Sequence, residues 1–365
     1  MPRTPAPRTT TPSPATHKQQ LDLALQGGGS HGAFTWGVLD RLLEDEMLEI
    51  AGVSGTSAGA MNAVAMAAGL MEGGREGARA TLRRFWQRVA ESSPFHQLTA
   101  GPWGNLLGPD NPWLQAWTAP LQQLGQIMGS QLSPYQLNPL NLNPLRAILE
   151  DTVDFERVRH CDRTHLFIAA TQVSTGELRI FRQNELTADM VLASACLPLL
   201  FQAVEIEGEA YWDGGYAGNP SLLPLISETP ADDLLLVQIN PTRRDDLPTS
   251  ANDILDRANE VTFNASLLKE LRTIGLIKEV IEAAGRPDCT YDRPLFRRVD
   301  DLRLHRLEAD AQLSKFGAAS KSRTGWDFLS QLHDMGRHAA DAWLKVHRQH
   351  LGKRSTFELP QFQPN

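Results

Sequence analysis

Between residues 21 and 70 the chain runs twice from an apolar strand pattern, through a glycine-bearing loop, into a helix pattern, an order that few architectures accept. Leu21 to Gln26 is a short apolar run that stops at three consecutive glycines and reads as a buried strand entering a loop. Phe34, Val38 and Leu42 then recur every four residues with Leu39 and Leu43 beside them, which predicts one apolar stripe on a helix to about Asp45. Leu48 to Val53 gives a second strand, Ser54 to Gly59 a turn, and Ala60 to Leu70 a helix of small residues able to pack closely on a sheet. Strand, helix, strand, helix is the order of a βαβ unit, so the expected class is α/β with a parallel sheet.

Residues 92–150 interrupt that pattern. They hold eight Pro, three Trp (Trp103, Trp113, Trp117) and only Asp110, Arg146 and Glu150 as charges, and are read as an insertion. Regular structure resumes with His165 to Gln172, a Ser-Thr-Gly turn at 174–176 and Leu178 to Phe181, which suggests a strand pair. Leu234 to Ile239 is a near-continuous apolar run and a candidate central strand. A long helix pattern covers 252–284, Leu302 to Leu307 adds a late strand, and Thr324 with Asp327 resembles the capped start of a last helix through about His347. The expected organisation is one domain over 20–350, between a tail at 1–19 rich in Pro and Thr and a frayed end at 351–365.

Charge narrows the partners. With 35 Lys+Arg against 43 Asp+Glu the net charge is −8, so no overall positive field holds polyphosphate and nucleic acid is not an expected partner. Cys161, Cys196 and Cys289 are far apart, odd in number and outside any CxxC spacing, so no disulfide and no zinc site are expected, and a reducing compartment fits. The tail has no apolar signal-peptide core, its prolines oppose a transit-peptide helix, and nowhere are there 18 uninterrupted apolar residues. A cytoplasmic location is expected, with peripheral contact to a membrane left open.

Three stretches carry candidate chemistry. Gly55-Thr56-Ser57-Ala58-Gly59 is a GxSxG run between a strand and a helix, where glycines relieve crowding and a strained turn exposes the Ser57 hydroxyl. The helix behind it aims free N–H groups at developing negative charge; the plainer alternative is a Gly/Ser turn. Gln26-Gly27-Gly28-Gly29-Ser30-His31-Gly32 also lies between strand and helix. Three adjacent glycines cost entropy, and acyl transfer supplies a reason to keep them, because two or three convergent N–H groups stabilise the oxyanion of a tetrahedral intermediate. Neither GxxxxGK[ST] nor GxGxxG spacing is present, which weakens the phosphate-loop alternative. Asp213-Gly214-Gly215 follows Tyr211-Trp212 at the end of a strand pattern and, taken alone, reads as a turn.

Together and in this order the three stretches resemble the patatin-like phospholipases, which have a glycine-rich oxyanion loop, a GxSxG elbow and a DGG or DGA carrying the catalytic Asp. The run Ala193-Ser194-Ala195-Cys196-Leu197-Pro198 with Phe201, and Asn219-Pro220 after the DGG, extend the likeness over about Leu21 to Pro220. The resemblance implies a three-layer αβα fold with a mainly parallel central sheet and a nucleophile elbow. It implies Ser57 as nucleophile, Asp213 as general base in direct contact with it, and Gly27, Gly28 and Gly29 as oxyanion donors with Ala58 assisting. Gly32, Gly55, Gly59, Gly214 and Gly215 support the motifs, and no metal or organic cofactor is implied. The substrate would be a lipid or phospholipid ester, cleaved through an acyl-enzyme.

Two departures stand out. Gln26 sits where an acidic or small residue often precedes the glycines, and His31 where Lys or Arg is common. His31 is read either as a pH-dependent cation near the loop or as a first-turn residue facing solvent. None of the ten histidines has a setting that suggests a base; His333, His338 and His347 fall on one helix pattern. A carboxylate of ordinary pKa is a poor base for a hydroxyl, so partial burial beside Trp212 would have to raise that of Asp213. The weakly charged, Trp-bearing 92–150 stretch is a candidate lid or acyl-slot wall, or else an insertion that never meets substrate. A serine peptidase or thioesterase, and an inactive lipid-binding scaffold, remain as alternatives.

Overall fold

A computed structural model describes residues 18–92, 133–244, 246–283, 294–313, 316 and 318–359. Among the described residues eight strands form one sheet: β1 (Gln19–Leu25), β2 (Leu48–Gly55), β3 (His165–Gln172), β4 (Leu178–Arg182), β5 (Val204–Ile206), β6 (Glu209–Asp213), β7 (Asp233–Gln238) and β8 (Arg303–Glu308). Their order is β5-β6-β3-β2-β1-β7-β8, with β4 paired to β3. The five strands from β3 to β8 across the middle run parallel, while β4, β5 and β6 add antiparallel pairings. The β3–β4 pair turns at Gly176, whose φ of 73° suits glycine.

Helices cover both faces, as the α/β reading expects. The principal ones are α1 (Gly32–Leu43), α2 (Ala58–Glu91), α3 (Ala188–Ser194), α4 (Ala251–Ala283) and α5 (Trp326–His347). Alternation along each strand divides the core. Leu21, Leu23 and Leu25 of β1 with Leu235 and Val237 of β7 join the cluster made by α1, α2 and α5. Ala24, Leu234 and Leu236 face the other way, toward Leu267, Leu271 and Ile274 of α4. At the α1–α5 crossing, a Cβ on Gly37 would stand 1.9 Å from the His333 carbonyl oxygen and one on Gly336 2.0 Å from that of Phe34, so only glycines allow this approach.

Two expectations change. The last helix starts after Gly325, which makes no side-chain cap, rather than at a Thr324 cap. Residues 351–359, expected to fray, lie along β8: the Thr356 and Phe357 amides donate to the Leu304 carbonyl at 3.0 and 3.1 Å. Asp233, fully buried at the start of β7, explains part of this, because it accepts from Gly352 N at 3.0 Å and contacts His305 Nε2 at 2.9 Å. A buried carboxylate needs such partners. Residues 1–17, 93–132, including Trp103, Trp113 and Trp117, and 360–365 lie outside the described residues. What is described of the insertion includes two short helices, Pro134–Leu137 and Pro144–Thr152.

Candidate active site

Parallel strands end in loops on one edge of a sheet, where ligand sites of α/β proteins form. The three candidate stretches meet there: the glycine loop leaves β1, the GxSxG turn leaves β2, and Asp213 closes β6. Asp213 pairs with Ala170 of β3 and Gly55 with Ile168 of the same strand, so the sheet itself brings positions 57 and 213 together.

Ser57 has φ 54° and ψ −120°, a strained conformation for a residue with a side chain. Its surroundings hold it there. Ser54 Oγ donates to Ser221 O at 2.6 Å, Thr56 Oγ1 to Gly218 O at 2.7 Å, and Ser57 N to Ser194 Oγ at 2.9 Å. A Cβ on Gly59 would lie 2.2 Å from Leu25 O, and one on Gly55 2.6 Å from Gly59 O, so α2 leaves the elbow in backbone contact with β1. Ser57 is also the N-cap of α2, with no capping side chain and no acid in the first turn, which leaves the positive helix end facing its side chain.

Asp213 is fully buried. Its Oδ1 accepts from Gly215 N at 2.7 Å, whereas Oδ2 makes no well-formed hydrogen bond among the described residues. Burial pushes its pKa up to about 7, against the opposing pull of the Gly215 N–H and of the neighbouring Ser57 hydroxyl. Burial and then the Asp213 charge raise the Cys196 thiol to about 12. The Tyr216 phenol moves up for the same two reasons. Gly214 and Gly215 fit the motif between β3 and α4: added Cβ atoms would stand 2.2 Å from Ala169 O and 2.2 Å from the Phe263 ring.

The glycine loop touches the elbow, since a Cβ on Gly27 would be 2.7 Å from that of Ser57, and one on Gly32 2.5 Å from that of Ala58. Its expected donors differ in their partners. Gly27 N donates to Asn219 Oδ1 at 2.7 Å. The Gly28, Gly29 and Ala58 amides make no hydrogen bond among the described residues. Gln26 is a strut: its Oε1 accepts from Ile239 N and Asn240 N at 2.9 and 2.8 Å, and its Nε2 donates to Asn264 Oδ1 at 2.8 Å.

Both readings of His31 are corrected. The ring is buried, with Nε2 2.7 Å from Ser320 Oγ, and burial first and Lys321 second lower its pKa to about 4, so it is neutral and away from solvent. His305 lies on β8 and pairs with Asp233 at the amino end of β7, away from the edge carrying Ser57. His333, His338 and His347 lie on α5 as expected. Among the described residues no group of three or more His, Cys, Asp or Glu is disposed to hold a metal ion.

Ser194, Asn219 and Asn240 shape the site although sequence reasoning assigned them no role. The first two stand within stretches already marked, but Asn240 and its neighbour Lys321 carry no local signal.

Residues 23–226 match the family model of patatin-like phospholipase. Among solved structures, VipD of Legionella pneumophila aligns at 16% identity over 88% of this chain and 67% of its own, with a TM-score of 0.36. ExoU of Pseudomonas aeruginosa, solved full-length in complex with full-length SpcU, aligns at 15% identity over 92% of this chain and 63% of its own, with a TM-score of 0.27. The chain thus spans about two thirds of the length of either. No curated protein matches it in sequence.

Proposed function

Because the chain belongs to the patatin-like phospholipase family, a family of lipid hydrolases, we propose that it is a serine-dependent lipid acyl hydrolase of the phospholipase A or esterase type. Ser57 attacks the ester carbonyl and passes its proton to Asp213. The Gly28 and Gly29 amides, with that of Ala58, receive the oxyanion, and Gly27 supplies the space that lets them approach. Collapse of the intermediate expels the alcohol, which takes the proton back, and leaves an acyl-enzyme. Asp213 then deprotonates the water that releases the fatty acid.

One observation carries this reading: a serine strained at a helix N-terminus abuts a glycine loop and a buried carboxyl whose pKa lies near 7. A base titrating there is about half ionised at neutral pH and far more basic than an ordinary carboxylate, as general-base catalysis needs. The test is a hydrolysis assay on a panel of phospholipids, neutral lipids and acyl thioesters, alongside labelling with a fluorophosphonate probe. Free fatty acid and a probe adduct on the Ser57 peptide are expected. A folded protein that releases no acyl group and takes up no label would leave the scaffold alternative.

Lipid esters present at a surface, and the rim of the site suits one. Leu199 is 84% exposed and Leu140 79%, with Leu142, Leu200 and Leu137 also exposed. The two loops bearing them are joined by Gln202 Nε2 to Asn138 O at 2.7 Å, and Asp213 N reaches Cys196 O at 2.8 Å just before them. The proposal therefore includes peripheral contact of this apolar rim with a lipid surface. Among the described residues no helix is long and apolar enough to cross a membrane. Leu199→Glu with Leu200→Glu is expected to cut hydrolysis of vesicle phospholipid roughly tenfold or more while changing a soluble short-chain ester less than about threefold. Equal losses on both substrates would remove the contact from the proposal. A cytoplasmic location belongs to the same proposal, supported by the free thiols of Cys161 and Cys196.

A further inference from the structure

Position 31, read in the sequence as a place for a cation, holds a buried neutral histidine, yet a cation does reach the glycine loop from far along the chain. The turn Ala318–Ser322 lies on the loop so closely that a Cβ on Gly29 would meet Lys321 O at 2.5 Å. The Lys321 ammonium, partly buried, donates to Asn240 Oδ1 at 2.7 Å. The same Asn240 amide, fully buried, donates from Nδ2 to Gly27 O at 2.6 Å. Gly27 C=O and Gly28 N–H belong to one planar trans peptide, so a bond that fixes the carbonyl also fixes the N–H pointing the opposite way. Asn219 holds the preceding peptide through Gly27 N, which leaves Gly27 held by an asparagine on each of its two peptides.

From this geometry we propose that Lys321 is a positioning residue for the oxyanion site, acting through the Asn240 amide and the Gly27–Gly28 peptide on the Gly28 N–H. The proposal deepens the hydrolase reading and rests on it. Each link in the chain polarises the next, from ammonium to side-chain amide to backbone amide, so the Gly28 N–H becomes a stronger donor than an ordinary peptide N–H. Negative charge on the oxyanion is then felt by a cation that never touches it. The effect belongs to the transition state, because an ester ground state carries little charge on that oxygen.

Titration adds a separate signature. Lys321 faces Glu260 and Asp256 of α4, Arg244 after β7 and His31, and Arg257 is bonded to the same Glu260. Burial lowers its pKa from the ordinary lysine value, Arg244 adds to that, and the two acids oppose it. Its charge is therefore lost at a lower pH than that of an ordinary lysine, so activity should fall as the pH rises on the alkaline side. An arginine there keeps its charge throughout.

The experiment compares kcat, KM and pH profiles on a soluble ester for wild type, Lys321→Met, Lys321→Arg and Asn240→Asp, with thermal melts to confirm folding. Lys321→Met is expected to lower kcat roughly 10- to 100-fold with KM changed less than about twofold. Lys321→Arg should restore most of kcat and shift the alkaline limb upward. Asn240→Asp, which keeps an oxygen for Lys321 but loses the N–H toward Gly27, should lose kcat like Lys321→Met. An active wild type whose kcat survives Lys321→Met, or a loss that follows melting temperature and leaves the alkaline limb in place in Lys321→Arg, overturns the relay alone. A wild type that hydrolyses no ester overturns the hydrolase reading and the relay together.

Discussion

Ser57→Ala and Asp213→Asn are each expected to lower ester hydrolysis by roughly 10³-fold or more, since in the proposed mechanism nucleophile and base act as one unit. The two should part in their pH dependence. In the wild type, kcat/KM should fall about tenfold per pH unit below about 7, where Asp213 takes up its proton, and the residual rate of Asp213→Asn should lack that limb. Stability gives a check without substrate. The folded pKa of Asp213 lies above the ordinary 3.8, so its protonation favours the fold. That contribution is fully present below about 4 and is lost as the pH rises through about 7. An ionised, buried carboxylate then costs the native state on the order of 4 kcal/mol at most, at about 1.4 kcal/mol per pKa unit. Asparagine never ionises, so Asp213→Asn should gain on the wild type between about pH 4 and 7 and melt several degrees higher at pH 8. An inactive Asp213→Asn protein melting with the wild type at every pH would show that the carboxyl is not held as described.

Much of this was legible because its determinants are local. The strand runs 21–26 and 48–53, the stripe on Phe34, Val38 and Leu42, and the strand-to-helix setting of Ser57 all sit within windows of a dozen residues; β1, α1 and β2 form within a few residues of their expected bounds, whereas α2, expected to end at Leu70, continues past a break at Gly73 and Gly74 to Glu91. Partial burial of Asp213 beside Trp212 was what a basic carboxylate would require, and the structure buries it fully. What escaped detection is non-local. Asn219 takes the Gly27 N–H from 192 residues away, and Asn240 takes its carbonyl from 213. No spacing rule links such positions, so the sequence does not show that the Gly27 N–H has a partner of its own. His31 was misjudged for the same reason, because the residues that bury it, Ser320 and Phe316, come from the far end of the chain. The tail at 351–359 looked frayed because its partners, Asp233 and Leu304, lie on strands 50 and more residues away.

The commitment of the Gly27 N–H separates two roles that a glycine in such a loop can play, and alanine tells them apart. Gly27→Ala keeps the N–H and adds only a methyl group. If the amide were the working part, the substitution would be nearly silent. The geometry says otherwise: the new carbon would stand 2.7 Å from Ser57 Cβ and 2.8 Å from Thr56 O, and neither the elbow nor its carbonyl can yield without releasing the strained serine. The loop must retreat instead, carrying the Gly28 and Gly29 amides from the position where the oxyanion forms. Displacement of that kind by about 1 Å costs roughly 10²-fold, and loss of a donor 10²- to 10³-fold. Gly28→Ala supplies the contrast, because its methyl would meet Ile239 Cδ1 at 2.9 Å, the end of a side chain that can rotate away. Gly27→Ala is therefore expected to lose about 10²- to 10³-fold in kcat, and Gly28→Ala about tenfold or less, with both proteins folded by circular dichroism. The reverse order would place the working amide at Gly27 and require its bond to Asn219 to open during the reaction.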